Sequence, residues 1–253
     1  MVRVPEVGFQ IGPMAVSAHF LFESLAYTVG FAIYRWDRRR FGDSLATENR
    51  NSVIVAAVIG AAIGSKLLAG LEEPALLLRA PWAVLLGGKT MVGGLLGGTV
   101  AVEWVKQRAG IRQRTGDLFA VPMCVAIAIG RLGCFFSGLG DHTYGTPTML
   151  AWGMDFGDRI ARHPTQLYEI VFLTVLATAL SWLRQRVPPN GELFRLFLVS
   201  YLSWRLMIDF LKPEPAFAGL SAIQWACALA LLFYGRDTVR MFYGRQRATI
   251  PVL

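Results

Sequence analysis

The chain has 253 residues, of which 54% are hydrophobic and only 17% charged, with a formal net charge of +8. An ordinary soluble domain carries about 25% charged residues, so this composition excludes a wholly water-exposed surface, and several runs of about 20 mainly apolar residues have the length of membrane-crossing helices. The positive balance does not mark a nucleic-acid binder, because most of the basic residues are spread over three short loops and a tail rather than along one stripe.

In chain order, the apolar runs predict helical spans at 14–34, 52–71, 90–106, 117–137, 166–184, 193–211 and 217–234. The expected fold is all-α: a polytopic membrane helix bundle of about seven transmembrane helices, forming one domain over residues 1–253. The first run is long, follows mainly uncharged residues and ends at Arg35, Arg38, Arg39 and Arg40, which reads as a first helix rather than a cleavable signal. Pro74 and Pro81 interrupt the short apolar stretch Ala75 to Leu86, so a half-helix at the interface is expected there rather than an eighth span. Gly60 with Gly64, Gly93 with Gly97, and Gly94 with Gly98 recur at spacing four, which lets helix backbones approach closely in lipid.

Alternate loops differ in basic content. One set holds Arg35 to Arg50, Lys106 to Arg114, Arg184 with Arg186, and Arg236 to Arg247; the other has only Arg3, Arg79, Lys89, Arg159, Arg162 and Lys212. The richer set is expected in the cytoplasm, which places the N-terminus outside and the C-terminus inside. Cys124, Cys134 and Cys227 fall in apolar runs without metal or redox spacing and read as buried thiols.

Ionisable groups within spans cost at least about 2.5 to 3.5 kcal/mol each on insertion scales and call for a partner or a purpose. In the expected topology Glu23, Lys66, Arg131 and Arg205 occupy the outer halves of their helices, with His19, Glu169 and Asp209 near the outer boundary. Guanidinium groups at one level could grip a phosphate, with the carboxylates as counter-ions; helix-to-helix ion pairing without a ligand is the alternative.

Gly130 to Gly138, reading Gly-Arg-Leu-Gly-Cys-Phe-Phe-Ser-Gly, ends the fourth span and opens a long outer loop with Asp141, His142, Tyr144, Gly145 and Trp152. Loops of that length are usually functional. It runs into Arg162-His-Pro-Thr-Gln-Leu-Tyr-Glu169, where Thr165 is the expected N-cap and Gln166 and Glu169 share a helix face. Tyr168 and Glu169 are expected to point toward the charged layer.

At these residues the chain resembles the prolipoprotein diacylglyceryl transferase family. Gly130 to Gly138 resembles the family's Gly-Arg-x-Gly-Asn-Phe-x-Asn-Gly signature, and Arg162 to Glu169 its Arg-His-Pro-Ser-Gln-Leu-Tyr-Glu segment. Tyr201, Arg205 and Asp209 match its late helix, Tyr27 to Phe31 its early Tyr-Leu-Val-Gly-Phe, and Asp117 the acid opening its fourth helix. The resemblance implies a multi-pass enzyme of the bacterial cytoplasmic (inner) membrane. It would move the diacylglyceryl group of phosphatidylglycerol to the lipobox cysteine of a prolipoprotein signal peptide, with no metal or organic cofactor and no nucleic acid.

By the same resemblance, Arg131 and Arg205 would hold the headgroup and departing phosphate, Tyr27 and Tyr201 would orient it, and Glu169 and Asp209 would fix the arginines. His163 joins the catalytic candidates. Lys66, Gly93, Gly94, Gly133, Cys134, Gly145, Gln166 and Tyr168 complete the expected substrate-binding set.

Four positions depart from the pattern. The family's His-Gly-Gly-Leu reads Val92-Gly-Gly-Leu95, its two signature Asn residues are Cys134 and Ser137, and the following Glu is Leu139. Valine accepts no proton, so the base is dispensable, is supplied by His142 or His163, or the chemistry has changed. The alternative to an enzyme is a phospholipid-binding or transport protein that has lost the histidine.

Overall fold

A computed structural model of the chain describes residues 2–4, 8–11, 14–186, 190–213 and 217–248. The elements in order are β1 (Val2–Arg3), β2 (Gly8–Ile11), β3 (Met14–Ser17), α1 (Ala18–Phe41), α2 (Thr47–Glu72), α3 (Pro74–Arg79), α4 (Pro81–Gly87), α5 (Met91–Arg108) and α6 (Asp117–Phe136). They continue with β4 (Met154–Asp155), β5 (Ala161–Arg162), α7 (Thr165–Arg184), α8 (Glu192–Ile208) and α9 (Ala222–Ala248). The chain is a helical membrane protein: α2, α6 and α7 are long and apolar enough to cross a bilayer, and α4 with α5, bent by 80° at their junction, pass the same test as a pair.

The first expected span begins too early. Met14–Ser17 pairs antiparallel with Gly8–Ile11, and the helix starts at Ala18, where the Ser17 hydroxyl accepts from Phe20 N at 3.2 Å. A capping serine satisfies one of the orphan N–H groups of the first turn, so the helix starts where that acceptor is available. The helix also runs on through Arg38 to Arg40, whose charges complement its C-terminal dipole, and closes at Gly42 with φ +79°. The proline-broken segment forms two short helices, α3 and α4, each with proline in its first turn.

At the other end, Asp209–Leu211 is a 3-10 turn rather than the end of α8, and α9 begins five residues later than expected. Ser221 and Gln224 cap α9 reciprocally: Ser221 Oγ accepts from Gln224 N at 3.1 Å and Gln224 Oε1 from Ser221 N at 2.9 Å.

The chain divides into two compact units. The first comprises Met1–Asp43, Arg114–Phe197 and Phe210–Pro213. Here α1, α6 and α7 alternate in direction, with Tyr34 stacked on Phe119 at 4.8 Å and Phe22 on Phe136 at 5.7 Å. At one end Arg184 pairs with Asp37 and donates to the Asp117 carbonyl, while the Asp117 carboxylate accepts from Gly191 N at 2.8 Å and Phe194 N at 3.1 Å. That carboxylate caps the start of α8 from another helix. At the opposite end β1 lies parallel to β4, and β4 antiparallel to β5.

The second unit comprises Ser44–Gln113, Leu198–Asp209 and Glu214–Leu253. Its centre is the antiparallel pair α2 and α5, where Gly60 and Gly64 meet Gly97 and Gly93. A Cβ at any of the four would collide with the facing backbone carbonyl, so the spacing of these glycines is a packing requirement. Glu72 Oε1 accepts from Ile223 N at 2.5 Å, and Gln224 Nε2 donates to Leu206 O at 3.2 Å, which ties the start of α9 to α2 and α8.

Candidate functional site

The first unit assembles the two sequence blocks around α6 and α7. Arg131, on the penultimate turn of α6, places Nε 2.9 Å from Glu169 Oε2 on the first turns of α7, and both side chains are buried. One turn on from Arg131, Cys134 brings Sγ within 3.8 Å of the Arg131 guanidinium. Gln166 and Glu169 are both buried on one face of α7, as their spacing implies; Gln166 Nε2 donates to Thr143 Oγ1 at 3.1 Å.

Thr165 is not the N-cap. Pro164 takes that position, and Thr165, the first helical residue, donates its hydroxyl to Thr143 O at 2.7 Å. The Pro164 side chain has no acceptor, although its carbonyl accepts from Leu167 N at 3.0 Å, and the threonine serves the loop instead. Tyr168 also turns to the loop: its hydroxyl accepts from Trp152 Nε1 at 2.8 Å and lies 3.3 Å from His163 Nδ1.

The loop between α6 and α7 is a built structure. Gly145 N donates to His163 O and His163 N to Thr146 O, at 2.9 and 3.1 Å. A Cβ on Gly145 would lie 2.6 Å from His163 Cβ, so glycine is required there by contact. Arg162 donates to Asp158 at 2.5 Å and stacks on Tyr144 at 5.0 Å; that hydrogen bond holds the Asp158 carboxyl below its usual range. His142, exposed and left-handed at φ 51°, terminates a 3-10 turn over Gly138–Asp141.

Asp141 faces inward from the start of the loop. Burial by itself would raise its pKa, but hydrogen bonds from His19, Cys134 and Thr143 outweigh it and hold the carboxyl below the usual range. His19 comes from the first turn of α1, its Nδ1 3.1 Å from Asp141 Oδ1 and its Nε2 3.8 Å from Glu23 Oε2. Gly133 makes this possible: a Cβ there would lie 2.9 Å from Phe22 Cβ and 3.3 Å from His19 Cα. His19 and Asp141 were visible in the sequence only as separate polar residues; the signal that could have joined them is the His19, Glu23 pair on one helix face. Tyr27, two-thirds exposed, donates to Glu23 on its own helix at 3.3 Å.

In the second unit Arg205 pairs with Asp209 at 2.8 Å, both buried, and Tyr201 is fully buried one turn before Arg205. Lys66 Nζ donates to Leu86 O at 3.1 Å. Gly93 is packed against α2, whereas a Cβ at Gly94 would make only ordinary contact, 3.7 Å from Ala61 O.

Residues 6–235 match the family model described as prolipoprotein diacylglyceryl transferase. The chain belongs to the prolipoprotein diacylglyceryl transferase family. Proteins named phosphatidylglycerol–prolipoprotein diacylglyceryl transferase resemble it throughout. The one from Bordetella parapertussis is 31% identical, covering 88% of this chain and 90% of its own. That from Cupriavidus pinatubonensis is also 31% identical, over 95% and 92%, and that from Methylococcus capsulatus 29%, over 97% and 98%.

The structure gives the departures from the prolipoprotein diacylglyceryl transferase pattern distinct surroundings. Val92 is fully buried near the start of α5. Ser137 turns its hydroxyl back to Gly133 O at 2.8 Å, ending α6. Cys134, the substituted signature asparagine, sits beside Arg131 and the His19, Asp141 pair.

Proposed function

We propose that this chain transfers the diacylglyceryl group of phosphatidylglycerol to the lipobox cysteine thiol of a prolipoprotein, releasing glycerol 1-phosphate, as a single catalytic domain in the bacterial cytoplasmic membrane. The observation that carries the reading is the buried Arg131, Glu169 pair, built from the two family blocks of a chain that matches the family along nearly its whole length. A guanidinium already held by a carboxylate stays oriented between turnovers and can stabilise a departing phosphate without reorganising. Arg205, held by Asp209, and the adjacent Tyr201 are assigned a role with the phosphate by their position in the family pattern. Tyr27, His163, Lys66, Gly145, Gln166 and Tyr168 take supporting roles, by position in the family pattern or in the loop that encloses Glu169.

The proposed topology has seven spans with the N-terminus outside. Pairing of β1 with β4 supports it, since residues 2–4 then lie on the same side as the loop between α6 and α7. The basic ends of α1 and α7 meet at the opposite side, which the charge bias assigns to the cytoplasm.

The test is purified protein with phosphatidylglycerol and a lipobox peptide, read by mass spectrometry for a diacylglyceryl adduct. An adduct that disappears in Arg131→Ala is expected. No adduct, where an authentic family member gives one, returns the chain to the lipid-binding reading.

A further inference from the structure

We propose that His19, Cys134 and Asp141 form a three-ligand site for a zinc-type dication, with a fourth position open to water or a thiol. One donor atom from each residue lies within 4.8 Å of the others. The donors come from three elements: the first turn of α1, the last turn of α6 and the 3-10 turn that follows. Zinc takes an imidazole nitrogen, a thiolate and a carboxylate at about 2.0 to 2.3 Å, and catalytic sites use three protein ligands and leave one position free. Contraction of the widest pair by roughly 1 Å brings the donors to tetrahedral spacing.

The surroundings orient the donors. His19 Nδ1 is sealed from solvent against Asp141 Oδ1, 3.1 Å away, so both donor atoms are already turned toward one point. Behind the ring, Glu23 Oε2 lies 3.8 Å from Nε2, an ion-pair contact longer than a hydrogen bond. Thr143 donates to the other oxygen of Asp141 at 3.0 Å and is itself held by Thr165 and Gln166, so the carboxylate is oriented from a second layer. The Gly133 contact locks α1 against α6 beside Cys134.

Charge is consistent with occupancy. A dication is neutralised by the Cys134 thiolate and the Asp141 carboxylate, and the nearby Arg131 cation is already compensated by Glu169. Thiolate softness selects zinc-like ions over magnesium or calcium. Binding needs a thiolate and a neutral imidazole, so it releases to solvent the Cys134 proton and the proton that His19 carries in its pair with Asp141, with no change of oxidation state. Metal affinity here does not depend on whether the chain transfers a diacylglyceryl group.

The experiment uses the full chain in detergent, stripped with chelator and titrated with zinc or cobalt(II). Stoichiometric binding is expected, with a near-ultraviolet thiolate-to-cobalt charge-transfer band. Cys134→Asn, which restores the signature residue, should abolish the band while keeping the melting temperature of the metal-free protein. Asp141→Asn should weaken binding by at least about 10-fold. No stoichiometric binding, or a cobalt spectrum unchanged in both variants, overturns the site. Transfer assayed on the same samples keeps the two questions apart, since a bound metal without an adduct counts against the transferase reading alone.

Discussion

Arg131 and Glu169 are joined by an ion pair 2.9 Å long, buried where α6 ends and α7 begins. Removing one partner from such a pair leaves an uncompensated charge and costs about 3–5 kcal/mol, whereas replacing both with apolar residues is often neutral. Glu169→Leu alone should therefore lower the melting temperature strongly, and Arg131→Met with Glu169→Leu should recover most of it. Diacylglyceryl transfer should stay at least about 100-fold down in both, because the cation proposed to hold the phosphate is misplaced or absent. Recovery of transfer in the double variant would remove Arg131 from the reaction.

Asp117 offers a second test, remote from the proposed chemistry. Its carboxylate accepts two backbone N–H groups at the start of α8. Asp117→Ala should cost about 1–2 kcal/mol in thermal unfolding, the worth of a lost cap. Asp117→Asn, which keeps an acceptor oxygen, should cost less.

Gly145 and Gly140 make a matched pair within one loop. A Cβ at 145 meets His163 and Leu211 O, while at 140 nothing lies within 4 Å. Gly145→Ala should destabilise by about 1–3 kcal/mol through overpacking and expose Tyr168 to faster proteolysis of the loop. Gly140→Ala should leave both unchanged, and equal sensitivity at the two positions would contradict the contact.

The glycine seam of α2 and α5 predicts a similar contrast. Gly64→Ala drives a methyl into the Gly93 carbonyl and should lower the melting temperature, whereas Gly94→Ala meets only ordinary contacts and should be neutral.

Hydropathy and local chemistry carry a good deal of this protein. Apolar runs locate α2, α6 and α7 to within a few residues outside the extra N-terminal turn of α2, because a backbone in lipid must satisfy its own hydrogen bonds and so becomes helical wherever the run is long enough. Hydropathy placed the starts of α1 and α9 too early, since in the structure the capping groups of Ser17, and of Ser221 with Gln224, set where those helices begin. The family blocks marked Arg131 and Glu169 as candidate site residues from residue identity. Their pairing required α6 and α7 to run in opposite directions.

Periodicity says nothing about which distant side chains meet. Tyr168 belongs to the loop through Trp152 and His163 rather than to the charged layer, and Pro164 rather than Thr165 occupies the N-cap position of α7. His19, Cys134 and Asp141 look unrelated along the chain and become neighbours only because Gly133 lets α1 close on the end of α6. Helix formation is a local outcome of burial and hydrogen bonding, whereas the chemistry of this loop-capped end arises from long-range packing that no short window of residues encodes.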